Sequence, residues 1–290
     1  MKPAPFDYYA PDTLNDAVAL LEQFENQDID AKILAGGQSL MPMLSLRVAR
    51  PDVLVDLRKL ESLDYIREDD NAIAIGAMTT KSAVEDSPLL QERQPLLIAA
   101  TRLVGHRQIR NRGTFGGSFM QADPSSEYPA AAILLGMEFK ATGPDGERTI
   151  PAEDFFITYM TTDLEATEIL TEVRVPMMPS GMGWSFQEIT RRNGDFAMAG
   201  IATTLMVQNG VCSDVRIVGF GIDATAVRLH SAEQVVEGMA PGQALFEKAG
   251  NVGAESLADP SSDVHASAEY RRHLVKVLVA RTLVEAVSRI

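Results

Sequence analysis

At 290 residues, 46% hydrophobic and 23% charged, the chain has the make-up of a globular protein large enough for two or three cores. Its formal net charge of −14 argues against general binding to nucleic acid or to an anionic membrane. Met1-Lys2-Pro3-Ala4-Pro5 has no apolar signal core and no run approaches a membrane span, so a cytoplasmic protein is expected.

Cys212 is the sole cysteine, which excludes an internal disulfide and any cluster held by four thiolates of this chain. His106, His230, His265 and His273 show no metal-ligand spacing. Cys212 itself falls in Gly210-Val211-Cys212-Ser213-Asp214, which reads as a polar hairpin turn, so no nucleophilic role is expected of it.

In chain order, Phe6-Asp7-Tyr8-Tyr9 predicts an extended segment, and Thr13-Leu14-Asn15-Asp16 opens a helix as a capping box with Asp in place of Glu. Leu14, Val18 and Leu21 give that helix one apolar stripe. Ala31-Lys32-Ile33-Leu34 predicts a short buried strand and Val53-Leu54-Val55-Asp56-Leu57 another, so the opening is β-α-β with a loop at a strand end, where ligands tend to bind. That loop is Ala35-Gly36-Gly37-Gln38-Ser39. Paired glycines leaving a strand let the backbone turn with positive φ and present successive N–H groups to an anion, and Ser39 can cap a following helix. Taken alone, such a pair is more often only a turn.

Further on, Asp69-Asp70-Asn71 predicts a hairpin turn between Tyr65-Ile66 and Ala72 to Ile75, and Thr79 or Thr80 caps a helix towards Asp86. Arg102, His106, Arg107, Arg110 and Arg112 form a basic patch without an intervening carboxylate. It reads as a solvated face paired with acids elsewhere, as a balance for a pyrophosphate, or as a dock for an acidic partner. Thr114-Phe115-Gly116-Gly117-Ser118 then repeats the grammar of the first loop, so that two loops could cradle the phosphates of a dinucleotide. Neither loop matches G-x-G-x-x-G or a P-loop.

Gln121 to Glu127 supplies acids and hydroxyls before an Ala-rich helix from about Tyr128, as helix caps or as partners of sugar hydroxyls. Glu168 to Val175 alternates as a strand, and Pro176 to Gly181 is the expected linker. Beyond it, Trp184 to Ile189, Gly200 to Val207 and Val215 to Phe220 predict three antiparallel strands. Ser231, Gly242 and Asp263 introduce helices, and Val275, Val279, Leu283 and Val287 form a core-facing stripe on the last.

With these segments in place, the chain resembles the FAD-binding medium subunit of xanthine-oxidase-type molybdenum hydroxylases, the bacterial carbon monoxide dehydrogenase type in particular. The resemblance spans nearly the whole chain. It is carried by Ala35-Gly36-Gly37-Gln38-Ser39-Leu40-Met41-Pro42, by Gly105 through Gly117, by Asp123-Pro124-Ser125-Ser126-Glu127, by Arg191 through Ala197 and by Tyr270-Arg271-Arg272-His273-Leu274. It implies an α+β chain: a two-part FAD-binding α/β domain of the PCMH type over residues 1–176 (parts 1–57 and 58–176), then a C-terminal domain, 177–290, of antiparallel sheet and helices.

The resemblance implies FAD contacts at Ile33, Leu34, Ala35, Gly36, Gly37, Gln38, Ser39 and Leu40, and at Thr114, Phe115, Gly116, Gly117 and Ser118. It adds Glu127, where Asp is usual, Leu170, and Gln187, where a lysine often stands. No histidine occupies position 38 or 39, so FAD is expected to be non-covalent. The implied role is electron transfer from [2Fe–2S] clusters on a small partner subunit, fed by a molybdopterin-bearing large subunit, in a dimer of heterotrimers. No catalytic acid, base or metal ligand is expected here. The alternatives are a free-standing flavin oxidoreductase and a nucleotide-binding module without redox function.

Overall fold

The Thr13 cap sets the N-terminal unit in place. In the computed structural model, which describes residues 1–290, the Asp16 N–H donates to Thr13 Oγ1 at 3.1 Å and the Thr13 hydroxyl donates to Asp16 Oδ2 at 2.7 Å. The helix Leu14–Glu25 that follows buries Ala17, Val18, Leu21 and Phe24. It covers a three-stranded parallel sheet in which Val53–Asp56 lies between Asp7–Tyr9 and Ala31–Leu34. The middle strand is buried throughout, as the Val-Leu-Val run requires of a parallel strand covered on both faces. Ala31–Leu34 departs from the expected buried strand, because only Leu34 is buried and Ile33 lines an open cavity.

A five-stranded antiparallel sheet comes next, in the order Ile66–Asp69, Ala72–Gly76, Ile169–Pro176, Glu138–Gly143, Gly146–Pro151. Thr80 is the cap of helix Lys81–Asp86, accepting from Ala83 N at 3.2 Å. Thr79 instead exchanges two 3.0 Å hydrogen bonds with the backbone of Tyr65. Pro88 and Pro95 each open a helix, where a missing N–H costs nothing.

Helix Glu127–Leu135 is buried almost all round and anchors an aromatic cluster. Phe115 meets both Phe119 and Tyr128 edge-on at 4.9 Å, and Phe139 stacks on Phe155 at 3.9 Å. Each such pair contributes about 1 kcal/mol beyond its burial.

The third sheet is antiparallel, Gly183–Ile189, Ala199–Gln208, Val211–Phe220 and the short Val227–Arg228. Two readings of this region change. The hairpin turn sits at Asn209-Gly210, both at positive φ, which places Cys212 inside the following strand and fully buried. The last helix runs Ala268–Val287 and is capped by Ser267, whereas Asp263 stays in the loop and accepts from Arg271 Nη2 at 2.7 Å. The main core also runs on past Pro176: Phe186, Ala202, Val218 and Phe220 belong to the same apolar cluster as Phe115, Tyr128 and Phe139.

Candidate functional site

A cavity of about 570 Å³ opens between the parallel sheet and the five-stranded sheet. Its wall includes Ile33, the run Ala35 to Leu40, Ala77, Lys81, Thr114, Gly116 to Ser118 and Leu170. Residues far apart in sequence thus converge at the strand end where the opening β-α-β unit leaves a gap.

The first glycine segment is rich in unused donors. Gly37 adopts φ +73°, a conformation that disfavours any side chain. None of the N–H groups from Ala35 to Leu40 finds an acceptor within the chain, although Gly37 and Ser39 carbonyls accept from Met41 and Met43. Six adjacent unpaired donors bordering a cavity make an anion nest. Ser39 precedes helix Leu40–Leu46 but caps it with no side-chain hydrogen bond.

The second segment is built differently. Gly116 and Gly117 lie in the first turn of helix Phe115–Gln121, capped by Thr114, and neither has positive φ. Their donors are engaged: Phe115 N to Thr79 O at 2.8 Å, Gly116 N to Ala77 O at 2.9 Å, Gly117 N to Thr114 Oγ1 at 3.2 Å. Glycine is needed here for space, since a Cβ on Gly116 would lie 2.5 Å from the Ala77 Cβ. The two segments therefore share a motif but divide the work, one offering donors and the other close approach. They also touch, because a Cβ on Gly36 would meet the Arg112 carbonyl oxygen and Gly113 Cα.

Four expected contacts lie away from the cavity wall. Leu34 and Phe115 are core residues beneath it. Glu127 is 4% exposed, and burial pushes its carboxyl up to about 7. The Gln187 amide donates to Glu285 Oε2 at 2.6 Å, which ties it to the C-terminal helix.

In the basic patch, Arg107 pairs with Glu85 and Asp86, and Arg110 with Glu85 at 2.9 Å. Arg110 also donates to the carbonyls of Val104 and Gly105 at 3.2 and 3.1 Å. These two guanidinium groups are thus occupied by acids of a neighbouring helix, which matches the first of the three readings.

Lys81 was not visible as a site residue. It lines the cavity yet is 7% exposed, its ammonium donates to Ser118 Oγ at 3.1 Å, and burial lowers it to about 8. One signal was available: a lysine directly after a Thr cap opposes the helix dipole, so its position calls for another reason. No group of three or more His, Cys, Asp or Glu side chains is placed to hold a metal, and no helix is long and apolar enough to cross a membrane.

Unpaired donors, a buried ammonium and glycine-smoothed walls fit a dinucleotide. Comparison with known proteins agrees. The family described as "FAD binding domain in molybdopterin dehydrogenase" matches residues 4–178, and "CO dehydrogenase flavoprotein C-terminal domain" matches 184–286. The carbon monoxide dehydrogenase medium chain of Hydrogenophaga pseudoflava is 38% identical over 290 residues, covering 100% of this chain and 99% of that one. The nicotine 6-hydroxylase medium subunit of Paenarthrobacter nicotinovorans is 38% identical over 289 residues, covering 100% of both. Among solved structures, the H. pseudoflava carbon monoxide dehydrogenase that lacks the Mo-pyranopterin moiety superposes with a TM-score of 0.95 at 38% identity, covering 100% of this chain and 99% of that one. Quinoline 2-oxidoreductase from Pseudomonas putida 86 gives 0.93 at 34%, covering 99% of both chains. The chain belongs to the family of FAD-binding medium subunits of molybdenum hydroxylases.

Proposed function

We propose that the chain is an electron-transfer subunit of a cytoplasmic molybdenum hydroxylase. It receives electrons from [2Fe–2S] clusters of a small partner, fed by a large molybdopterin subunit, and delivers them to an external acceptor. The proposed assembly is a dimer of heterotrimers. The observation that carries this reading is the run of unpaired N–H groups from Ala35 to Leu40 on the cavity wall.

Bound FAD supplies the redox chemistry. The chain contributes binding, orientation and exclusion of water. In the proposed site, Ala35 to Leu40 hold the diphosphate, Ile33 and Leu170 supply apolar wall, and Gly116 to Ser118 let the cofactor approach the backbone. Leu34 and Phe115 support these segments from the core, and Glu127 and Gln187 act from outside the wall. We assign residues 1–176 to cofactor binding, in parts 1–57 and 58–176, and 177–290 to a C-terminal domain packed on it.

Purification from native cells tests the proposal. Acid precipitation is expected to release FAD into the supernatant, with molybdenum and iron co-purifying with the intact assembly. Flavin held in the pellet overturns non-covalent binding, and turnover by the isolated chain overturns the subunit role.

A further inference from the structure

Lys81 is a buried cation without an anion. Its ammonium has three donors, and the chain offers it one acceptor, Ser118 Oγ at 3.1 Å. A buried ammonium is costly unless it is paired, so its retention in a cavity wall calls for a partner from outside the chain.

The groups facing Lys81 do not meet that need. Tyr128 presents its ring face 5.5 Å from the Nζ. Glu127 attracts the ammonium through space, but burial pushes its own carboxyl up to about 7 and its oxygen accepts from Ser126. Arg110 repels the ammonium and is itself engaged by Glu85. The other lysine on the wall, Lys32, is exposed and lies 3.9 Å from Asp30.

The placement of Lys81 indicates which anion it serves. Its backbone N–H donates to Gly113 O at 2.9 Å, which fixes the start of its helix beside the second glycine segment. A Cβ on Gly113 would lie 3.5 Å from Lys81 Cε and 3.6 Å from Gln38 Cγ, so the lysine stem and the Gln38 side chain of the first segment both border Gly113. The lysine therefore enters the cavity wall near the meeting of the two glycine segments, with its ammonium on Ser118 of the second, and it lines the same cavity as the unpaired N–H run.

We infer that Lys81 and the N–H groups of Ala35 to Leu40 together bind one diphosphate, which makes Lys81 a cofactor-binding residue of the cavity. This rests on the FAD reading above. The lysine adds a mobile full charge to fixed backbone dipoles, and it also selects for nucleotides that carry a diphosphate over bare flavins.

The test uses the full chain isolated with any subunits that accompany it, stripped of flavin and titrated with FAD, ADP and riboflavin. Lys81→Met is expected to weaken FAD and ADP about tenfold to a hundredfold at pH 7, the size of a lost charge-assisted hydrogen bond, and to leave riboflavin unchanged. Lys81→Arg is expected to keep most of the affinity for both. In the wild type, the free lysine titrates at about 8 and a bound anion raises it, so binding takes up a proton above pH 8. ADP affinity, free of the flavin N3–H ionisation, therefore falls as pH rises from 8 to 10, and Lys81→Met is flat over that range. The wild-type pH slope needs no variant to fold.

Unchanged ADP affinity in Lys81→Met, or a wild type flat above pH 8, overturns the assignment. An equal loss of riboflavin moves the lysine to the flavin ring and overturns it too. A wild type that binds ADP but no FAD overturns the cofactor reading instead, while the ADP arm still decides the role of Lys81.

Discussion

A Cβ on Gly36 would lie 2.2 Å from the carbonyl oxygen of Arg112, inside any contact that real atoms make. The backbone of the first glycine segment is thus seated directly on the residue two before Thr114, and the pair fixes the spacing of the cavity wall. Gly36→Ala has to push the two backbones apart. We expect it to cost about 1–3 kcal/mol and to lower FAD content severalfold, measured by urea denaturation and by flavin absorbance per chain.

Gly37 and Gly117 should respond for different reasons. At φ +73°, Gly37→Ala meets left-handed strain of about 1 kcal/mol and disturbs the donor run itself, so flavin affinity should fall along with stability. Gly117→Ala meets no such strain, but its Cβ would lie 2.7 Å from Thr114 Oγ1, the cap of its helix. A cap loss of about 1 kcal/mol is expected there. Thr114→Gly, which removes the clashing hydroxyl, should recover Gly117→Ala and leave Gly37→Ala unchanged; paired melting curves decide this.

Glu188 gives a pH signature. Its Oε2 is buried with no hydrogen-bond partner, and burial first, then the charge of Glu127, raises its carboxyl to about 8. A folded pKa above the unfolded one means the native state binds the extra proton between about 4.5 and 8, so stability declines as pH rises through that window. Glu188→Gln should match the wild type near pH 5 and exceed it at pH 8.5 by on the order of 1 kcal/mol. Denaturant midpoints at the two pH values provide the check.

The two paired arginines separate by burial. Arg110, whose side chain is 10% exposed, shares Glu85 with Arg107, which is 45% exposed. Arg110→Ala leaves a carboxylate half-paired and carbonyls without donors, and should cost about 3 kcal/mol. Arg107→Ala should cost less than about 1 kcal/mol, and less again in high salt. A reversed order in urea titrations contradicts the pairing described here.

Much of the fold could be read from local chemistry. The Thr13 capping box, the Asp70-Asn71 hairpin and the three strands after Pro176 all depend on neighbours in sequence, and each appears within a few residues of its expected place. The site was legible only in part. Both glycine segments border the cavity, but their sequence likeness hides that the paired glycines of the first keep free donors while those of the second do not, because Ala77 and the Thr114 hydroxyl take the N–H groups of Gly116 and Gly117. Lys81 stayed hidden for the same reason: its burial depends on Ser118 and Tyr128, which no local window contains. Asp263 lost the cap to Ser267 because Arg271 holds its carboxylate in the loop.

The cavity wall also sets a clock. Its residues begin at Leu21 and end at Leu170, and the strand that carries Leu170 is the middle one of its sheet, so the hairpins on both sides of it are joined only when it arrives. Contacts separated by that much chain close late, because the intervening loop entropy has to be overcome first. During synthesis, a growing chain shorter than about residue 170 has both glycine segments but lacks the central strand of the five-stranded sheet and the wall residues Ile169 and Leu170 that it carries. Flavin insertion is therefore an event of the finished fold rather than a nucleus for it, and cells short of flavin should accumulate a folded, colourless chain instead of an aggregated one.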